Sequence, residues 1–179
     1  MTHTEQTVTA LRERFGEAVQ AVNVFRGETE IVLDKRALVE ACRLLRDELR
    51  YEQLSALTAS DDWPQEPRFN VLYQLHSLSR ETRVRLKARV AGDDGVLPSI
   101  EAVYPNANWY ERELFDLFGL AFEGSHDLRR ILMPADWQGH PLRKDYPLGY
   151  EEPQFSFNYD EIDVRKPHAG EKPPAGGEH

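Results

Sequence analysis

The chain has 179 residues, a single cysteine, and 31 acidic against 22 basic residues, for a formal net charge of −9. That balance argues against nucleic acid or an anionic membrane surface as the main partner, and the length suits one core of ordinary size. A lone Cys42 can neither close an intrachain disulfide nor hold an iron–sulfur cluster, which takes about four thiolates.

No run approaches the roughly 20 apolar residues that cross a bilayer. The opening MTHTEQTVTALRER lacks the apolar stretch of a secretory signal. A soluble chain is expected.

Thr7 to Phe15 predicts a short helix with Val8, Leu11 and Phe15 on one side and Gly16 as its stop. Val19–Phe25 and Glu30–Leu33 read as strands around a turn at Gly27. Asp34 caps a second helix, in which Leu38, Cys42, Leu45 and Leu49 recur at helical spacing. Cys42 therefore lies on an apolar face and reads as a small buried hydrophobe, not a reactive thiol. Gln53–Ala59 reads as a strand and residues 61–64 as a loop, and Phe69–His76 and Thr82–Val90 are the clearest strands. The last of these sets Val84, Leu86, Ala88 and Val90 against Arg83, Arg85, Lys87 and Arg89, and its basic side is most simply a solvated face or a protected edge. His76 continues a strand alternation as a structural residue. Gly92–Gly95 predicts a turn, and Pro98 and Ser99 start one or two helical turns that run through Val103 and end at Pro105.

Helices and strands mix without a regular βαβα alternation. The expected class is α+β: a mixed sheet of about five strands with helices on one face, followed by an extended irregular C-terminal segment. The expected division is an N-terminal α+β domain at 1–105, a helix plus loop at 106–148, and an extended, partly disordered tail at 149–179. The tail ends in the Pro- and Gly-rich RKPHAGEKPPAGGEH. Within it Phe155, Phe157 and Tyr159 alternate, enough for one short strand or for docking on a neighbour.

The densest stretch runs from Asn108 to Leu148. Asn108, with Glu111 three places on, nearly matches a capping box, and Gly119 is the natural left-handed stop. Tyr110, Leu114, Phe115, Leu117 and Phe118 span about 160° of a helical wheel, wider than the usual stripe, so this helix should be covered on more than one side. Arg112 and Asp116 fall opposite, where charges face water. Glu111 falls inside the apolar arc, and a carboxylate there asks for a cation. Arg129, Arg130, Arg143 and Lys144 follow, the last two in a turn-rich run punctuated by Gly139, Pro141 and Pro147. Acid helix and basic loop are expected to fold onto each other or onto a partner.

No GxGxxG after a strand, P-loop or GxSxG occurs. His126, Asp127, Asp136 and His140 could suggest a metal, but their spacing fits no helical HExxH, and they read as turn-forming polar residues. Between Leu120 and Leu148, Phe122, Ile131, Leu132, Met133, Trp137, Leu142 and Tyr146 stand among charges, the residue mix of an interface centre. Such a loop either docks a partner or covers its own sheet, and spacing alone leaves both open.

The ERE triplet at 111–113 with Asp116 and the following Phe118-Gly119, then DLRRIL, then GHPLRKDYPL, resemble the 30 kDa (NuoC type) subunit family of NADH:quinone oxidoreductase, respiratory complex I. One departure is visible. The family pattern after the helix is Gly-His-Pro-Asp-Leu, whereas this chain has Gly124, Ser125, His126, Asp127, Leu128, so no role passes to His126. The resemblance implies a non-redox scaffold subunit in the hydrophilic peripheral arm of a proton-translocating enzyme that passes electrons from NADH to quinone. It implies no catalytic residue, cofactor or metal on this chain, with flavin, iron–sulfur clusters and quinone on partner subunits. The implied partners are the quinone-cavity subunit (49 kDa type) and the iron–sulfur subunits, on the cytoplasmic side of a bacterial inner membrane that the chain meets only through the complex. Structural or interfacial roles are implied for Glu111, Arg112, Glu113, Asp116, Phe118, Gly119, Asp127, Arg129, Arg130, Trp137, Gly139, His140, Pro141, Leu142, Arg143, Lys144, Asp145, Tyr146 and Pro147. The rivals are the equivalent subunit of a related membrane-bound hydrogenase or dehydrogenase and, from a different class, a free-standing metal-dependent hydrolase using His126, Asp127 and His140.

Overall fold

A computed structural model describes residues 2–147. Its main sheet places five strands in the order β1 (Val19–Phe25), β2 (Glu28–Leu33), β5 (Thr82–Val90), β4 (Phe69–Ser77) and β3 (Gln53–Asp61). Neighbours pair antiparallel except β2 and β5, which run parallel. A parallel pair needs a long crossover. Here α2 (Leu38–Asp47), β3 and β4 form it. The chain thus adopts the expected α+β class, with a mixed five-stranded sheet.

Alternation along the strands separates two faces. Ile31, Leu33, Val71, Tyr73, Leu75, Val84 and Leu86 point into the core, where α1 (His3–Phe15) contributes Leu11 and α2 contributes Leu38, Ala41, Cys42 and Leu45. On the other face, Arg85 meets Glu28 and Glu30, and Lys87 meets Glu30, so neighbouring strands partly neutralise the basic row. His76 lies half-buried in that face, in register with Gln53 and Arg83.

Several boundaries differ from expectation: β2 starts at Glu28, β3 runs on to Asp61, and Asp34 caps a 3-10 turn at Lys35–Ala37 that leads into α2. The first helix starts at His3, because Thr2 and Glu5 close a capping box that the opening THTE carries. Residues 98–103 form no helix. Val96–Pro98 is a short strand, β6, paired parallel with β7 (Ala121–Glu123), and residues 101–103 only turn. Ser99 N–H binds the Glu123 carbonyl and Ile100 N–H binds Glu111, so these donors are committed outside any local helix.

The third helix, α3 (Ala107–Phe118), lies along β3. Asn106 Nδ2 donates to the Leu54 carbonyl and the Tyr110 hydroxyl to that of Ser55, which seals this edge of the sheet. The short strand and the Pro/Gly-rich tail expected beyond residue 149 lie outside the described residues.

Candidate functional site

The N-terminus of α3 does not use the expected capping box. Asn106 occupies the cap position without a side-chain bond to the helix, and Asn108 Nδ2 reaches the Asp127 carbonyl instead. Glu111 is fully buried. Its carboxylate accepts Ser99 Oγ–H at 2.7 Å and Ile100 N–H at 2.9 Å, and no cation pairs with it among the described residues. Neutral donors from the preceding turn satisfy the charge for which a cation was expected. Burial pushes this carboxyl above its ordinary value, with the two hydrogen bonds opposing.

Arg112 and Asp116, expected to face water, are buried because the chain from 127 to 133 folds over them. Arg112 Nε and Nη2 donate to the carbonyls of Arg129 (3.0 Å) and Arg130 (3.1 Å), while its guanidinium stacks 5.2 Å from the Trp109 ring. Asp116 Oδ2 accepts three consecutive N–H groups, from Ile131, Leu132 and Met133, at 3.0, 2.8 and 2.9 Å. Its Oδ1 pairs with Arg130 at 2.6 Å. The backbone there is an anion nest filled by a side chain of the same molecule. Burial alone would push the Asp116 carboxyl up, but the N–H groups and Arg130 outweigh it and hold the carboxyl below its ordinary range. Acid helix and basic loop do fold onto each other, with Asp116 and not Glu111 as the ion-paired acid.

A helix leaves the carbonyls of its last turn unpartnered. Gly119, left-handed at φ 71°, ψ 28°, stops α3 and returns its N–H to the Phe115 carbonyl. Residues after 129 take the others. Leu142 N–H donates to Leu117 O at 3.0 Å, Arg143 Nε to Phe118 O, and both Arg130 Nη1 (3.2 Å) and His140 Nδ1 (2.9 Å) approach Asp116 O. A carbonyl only accepts, so His140 carries a proton on Nδ1. Burial, aided by Arg143 and Arg130, pushes His140 below its ordinary value. Guanidinium groups here also suit the negative end of the helix dipole. A Cβ on Gly119 would stand 2.6 Å from the His140 ring and 2.7 Å from Arg143 Nη2.

The strip is also tied to the sheet. Arg68 pairs with Asp61 through Nε (2.9 Å) and Nη2 (2.7 Å) and with Asp145 through Nη1 (3.0 Å) and Nη2 (2.6 Å). Lys144 enters through its backbone N–H, 2.8 Å from Asp61 Oδ2. Burial works against the Asp61 charge, yet Arg68 and the N–H groups of Lys144 and Trp63 hold it well below the carboxylate range. The guanidinium groups of Arg68 and Arg143 both lie over the Phe69 ring, at 4.9 and 5.5 Å, and Phe69 meets Phe118 edge-on. Asp61 and Arg68 were not among the sequence candidates. Asp61 read as part of a loop, and no local pattern ties either residue to partners some eighty positions away.

The remaining candidates sit toward the surface. Asp127 pairs with exposed Arg129, Tyr146 packs its ring under Gly139, and Trp137 is half-buried with its backbone carbonyl bound to Arg130. Pro141 is half-buried and Pro147 exposed, and Glu113 is half-buried with no polar partner among the described residues. Trp109, Leu132 and Leu142 are 59%, 62% and 51% exposed. His126 turns to Glu101, Asp127 to Arg129 and His140 to the Asp116 carbonyl, so the trio suggested for a metal faces three separate partners. Cys42 is fully buried, which pushes its thiol up to about 12. Among the described residues no helix is long and apolar enough to cross a membrane.

Comparison with known proteins gives this geometry a family. The model of the respiratory-chain NADH dehydrogenase 30-kDa subunit matches residues 31–152, a span that contains α3 and the whole strip. The C subunit of NADH-quinone oxidoreductase from Geotalea uraniireducens is 43% identical over 148 residues, covering 83% of this chain and 90% of the relative. Its namesake from Roseiflexus sp. is 44% identical over 163 residues, covering 90% and 94%. Among solved structures, the trypsin-resistant fragment (1-134) of Nqo5 superposes with a TM-score of 0.63 at 26% identity, covering 71% of this chain and all of that fragment. A chain of an archaeal membrane-bound sulfane sulfur reductase shares the fold at 22% identity, with a TM-score of 0.70 over 97% of this chain and 99% of that one. The chain therefore belongs to the 30-kDa subunit family of respiratory-chain NADH dehydrogenase, whose bacterial relatives serve NADH-quinone oxidoreductase.

Proposed function

We propose that this complex I subunit is a non-redox scaffold of the peripheral arm, supporting transfer of electrons from NADH to quinone by holding the redox subunits in place. The observation that carries the reading is how its charges are used. Asp116, Arg112, Arg130, Arg143 and Arg68 are engaged in fixing the backbone of the strip against α3 and the sheet, while Leu132, Leu142 and Trp109 remain outside. A rigid backbone presenting apolar anchors suits docking; a proton donor would need its charge free to change. The partners we assign are the quinone-cavity subunit of the 49-kDa type and the iron–sulfur subunits, which carry the clusters and, with the flavin-bearing chain, the redox chemistry. The location that follows is the cytoplasmic face of a bacterial inner membrane, where the whole complex couples electron transfer to proton translocation. The fold alone is shared with a sulfane sulfur reductase chain, whereas the relatives at 43–44% identity favour NADH-quinone oxidoreductase.

The test replaces Leu132 and Leu142 by Asp, singly, in the full chain within its host. The expected result is a several-fold lower yield of assembled complex from solubilised membranes, with unchanged redox spectra in whatever assembles. Normal assembly with lost turnover would overturn the reading.

A further inference from the structure

Among the described residues, the acids around α3 that are at least half-buried can be matched to partners one by one, and Glu113 is left over. Ser99 and Ile100 hold Glu111, Arg130 and three N–H groups hold Asp116, Arg129 holds Asp127, and Arg68 holds Asp145. Glu113 is half-buried, and among the described residues it has neither a hydrogen bond nor an ion pair. The nearest cation in sequence, Arg112, is turned the other way onto the carbonyls of Arg129 and Arg130.

Helical spacing fixes what surrounds Glu113. Trp109 lies one turn before it and Leu117 one turn after. Leu142 stands beside Leu117, bound through its backbone N–H, and is exposed. The strip covers the Arg112–Asp116 side of the helix, and Tyr110 leads to β3 on the other. Glu113 therefore sits in the open lane between strip and sheet, with exposed Trp109 and Leu142 at its two ends. A carboxylate partly shielded by apolar groups loses solvation unless a cation approaches it. An aromatic and an aliphatic anchor flanking one charge is the make-up of an interface hot spot.

We propose that this lane docks a partner subunit that brings a basic side chain onto Glu113 and apolar side chains onto Trp109 and Leu142. Charge complementarity sets the partner's chemistry, and an arginine suits it better than a lysine. Its fork pairs both carboxylate oxygens, and its plane can lie on the exposed indole as Arg112 already does on that ring. The proposal rests on reading this region as an interface and adds the sign and place of the charge that the partner must carry.

The experiment isolates the complex from solubilised membranes through a tag on this chain, over a series of salt concentrations, with Glu113→Gln, Glu113→Lys, Trp109→Ala and Leu132→Asp. For Glu113→Gln we expect about tenfold less partner retained at low salt, a flatter salt dependence, and a melting temperature of the purified chain like that of wild type. Glu113→Lys loses the partner, and revertants restore growth through a Lys or Arg to Glu or Asp change in a neighbouring subunit. Wild-type retention and salt profile in Glu113→Gln overturns the proposal, as does a fall in its melting temperature that accounts for the lost binding. If Leu132→Asp and Trp109→Ala disrupt assembly while Glu113→Gln does not, the ion pair fails and the interface stands. If none of the four disturbs assembly, both fail.

Discussion

At the residue scale, α3 buries two carboxylates and solves them in opposite ways. Glu111 takes two neutral donors and has its proton affinity raised, whereas Asp116 takes four donors including a guanidinium and has it lowered. Asp116→Asn leaves Arg130 without its counter-charge and should cost about 3 kcal/mol, read from urea denaturation at neutral pH. The sign with pH follows from the lowered value. Asp116 contributes stability above its unfolded pKa, about 3.9, and loses it as pH falls through the folded value, so the variant's stability should depend less steeply on pH below about 4. Helical phase was enough to place Glu111 among apolar neighbours from sequence. Its partners were not legible, because a serine hydroxyl and a backbone N–H a dozen residues back carry no pattern. The same holds for Arg68, which joins two acids on opposite sides of it in the chain, Asp61 and Asp145, with no motif linking them.

At the element scale, α3 and the strip form one unit, since the carbonyls the helix leaves open are the acceptors the strip uses. Gly119 is its pivot. Gly119→Ala strains a left-handed residue and drives a methyl into His140 and Arg143, so we expect a loss of about 2 kcal/mol or more. Melting curves should show that loss, and brief trypsin treatment should cut faster after Arg129 and Arg130. The strands of the main sheet were readable because each is long enough to show alternation. The β6–β7 pair was not, since three residues per strand leave no period to see. Arg112 and Asp116 were misplaced on the solvent side because a helical wheel cannot know that a later segment will lie across it.

At the scale of the whole molecule, Arg68 fastens the strip to the sheet. Arg68→Met leaves buried Asp61 without its cation, and thermal unfolding should report a loss of about 3–5 kcal/mol. Asp145 is 43% exposed at its side chain, so Asp145→Asn should cost about 1 kcal/mol or less. Equal losses in the two variants would show that the strip contact at Asp145, and not Asp61, is what Arg68 supports.

The parallel contact between β2 and β5 sets an order of events during translation. A ribosome releases the first hairpin long before its companion at 82–90 exists, so the sheet cannot close on its N-terminal half alone. Arg68 itself waits 77 positions for Asp145. The anchor-bearing surface is thus finished last, after the core beneath it, and a nascent chain exposes no completed docking face to sibling polypeptides until nearly all of its described length has emerged.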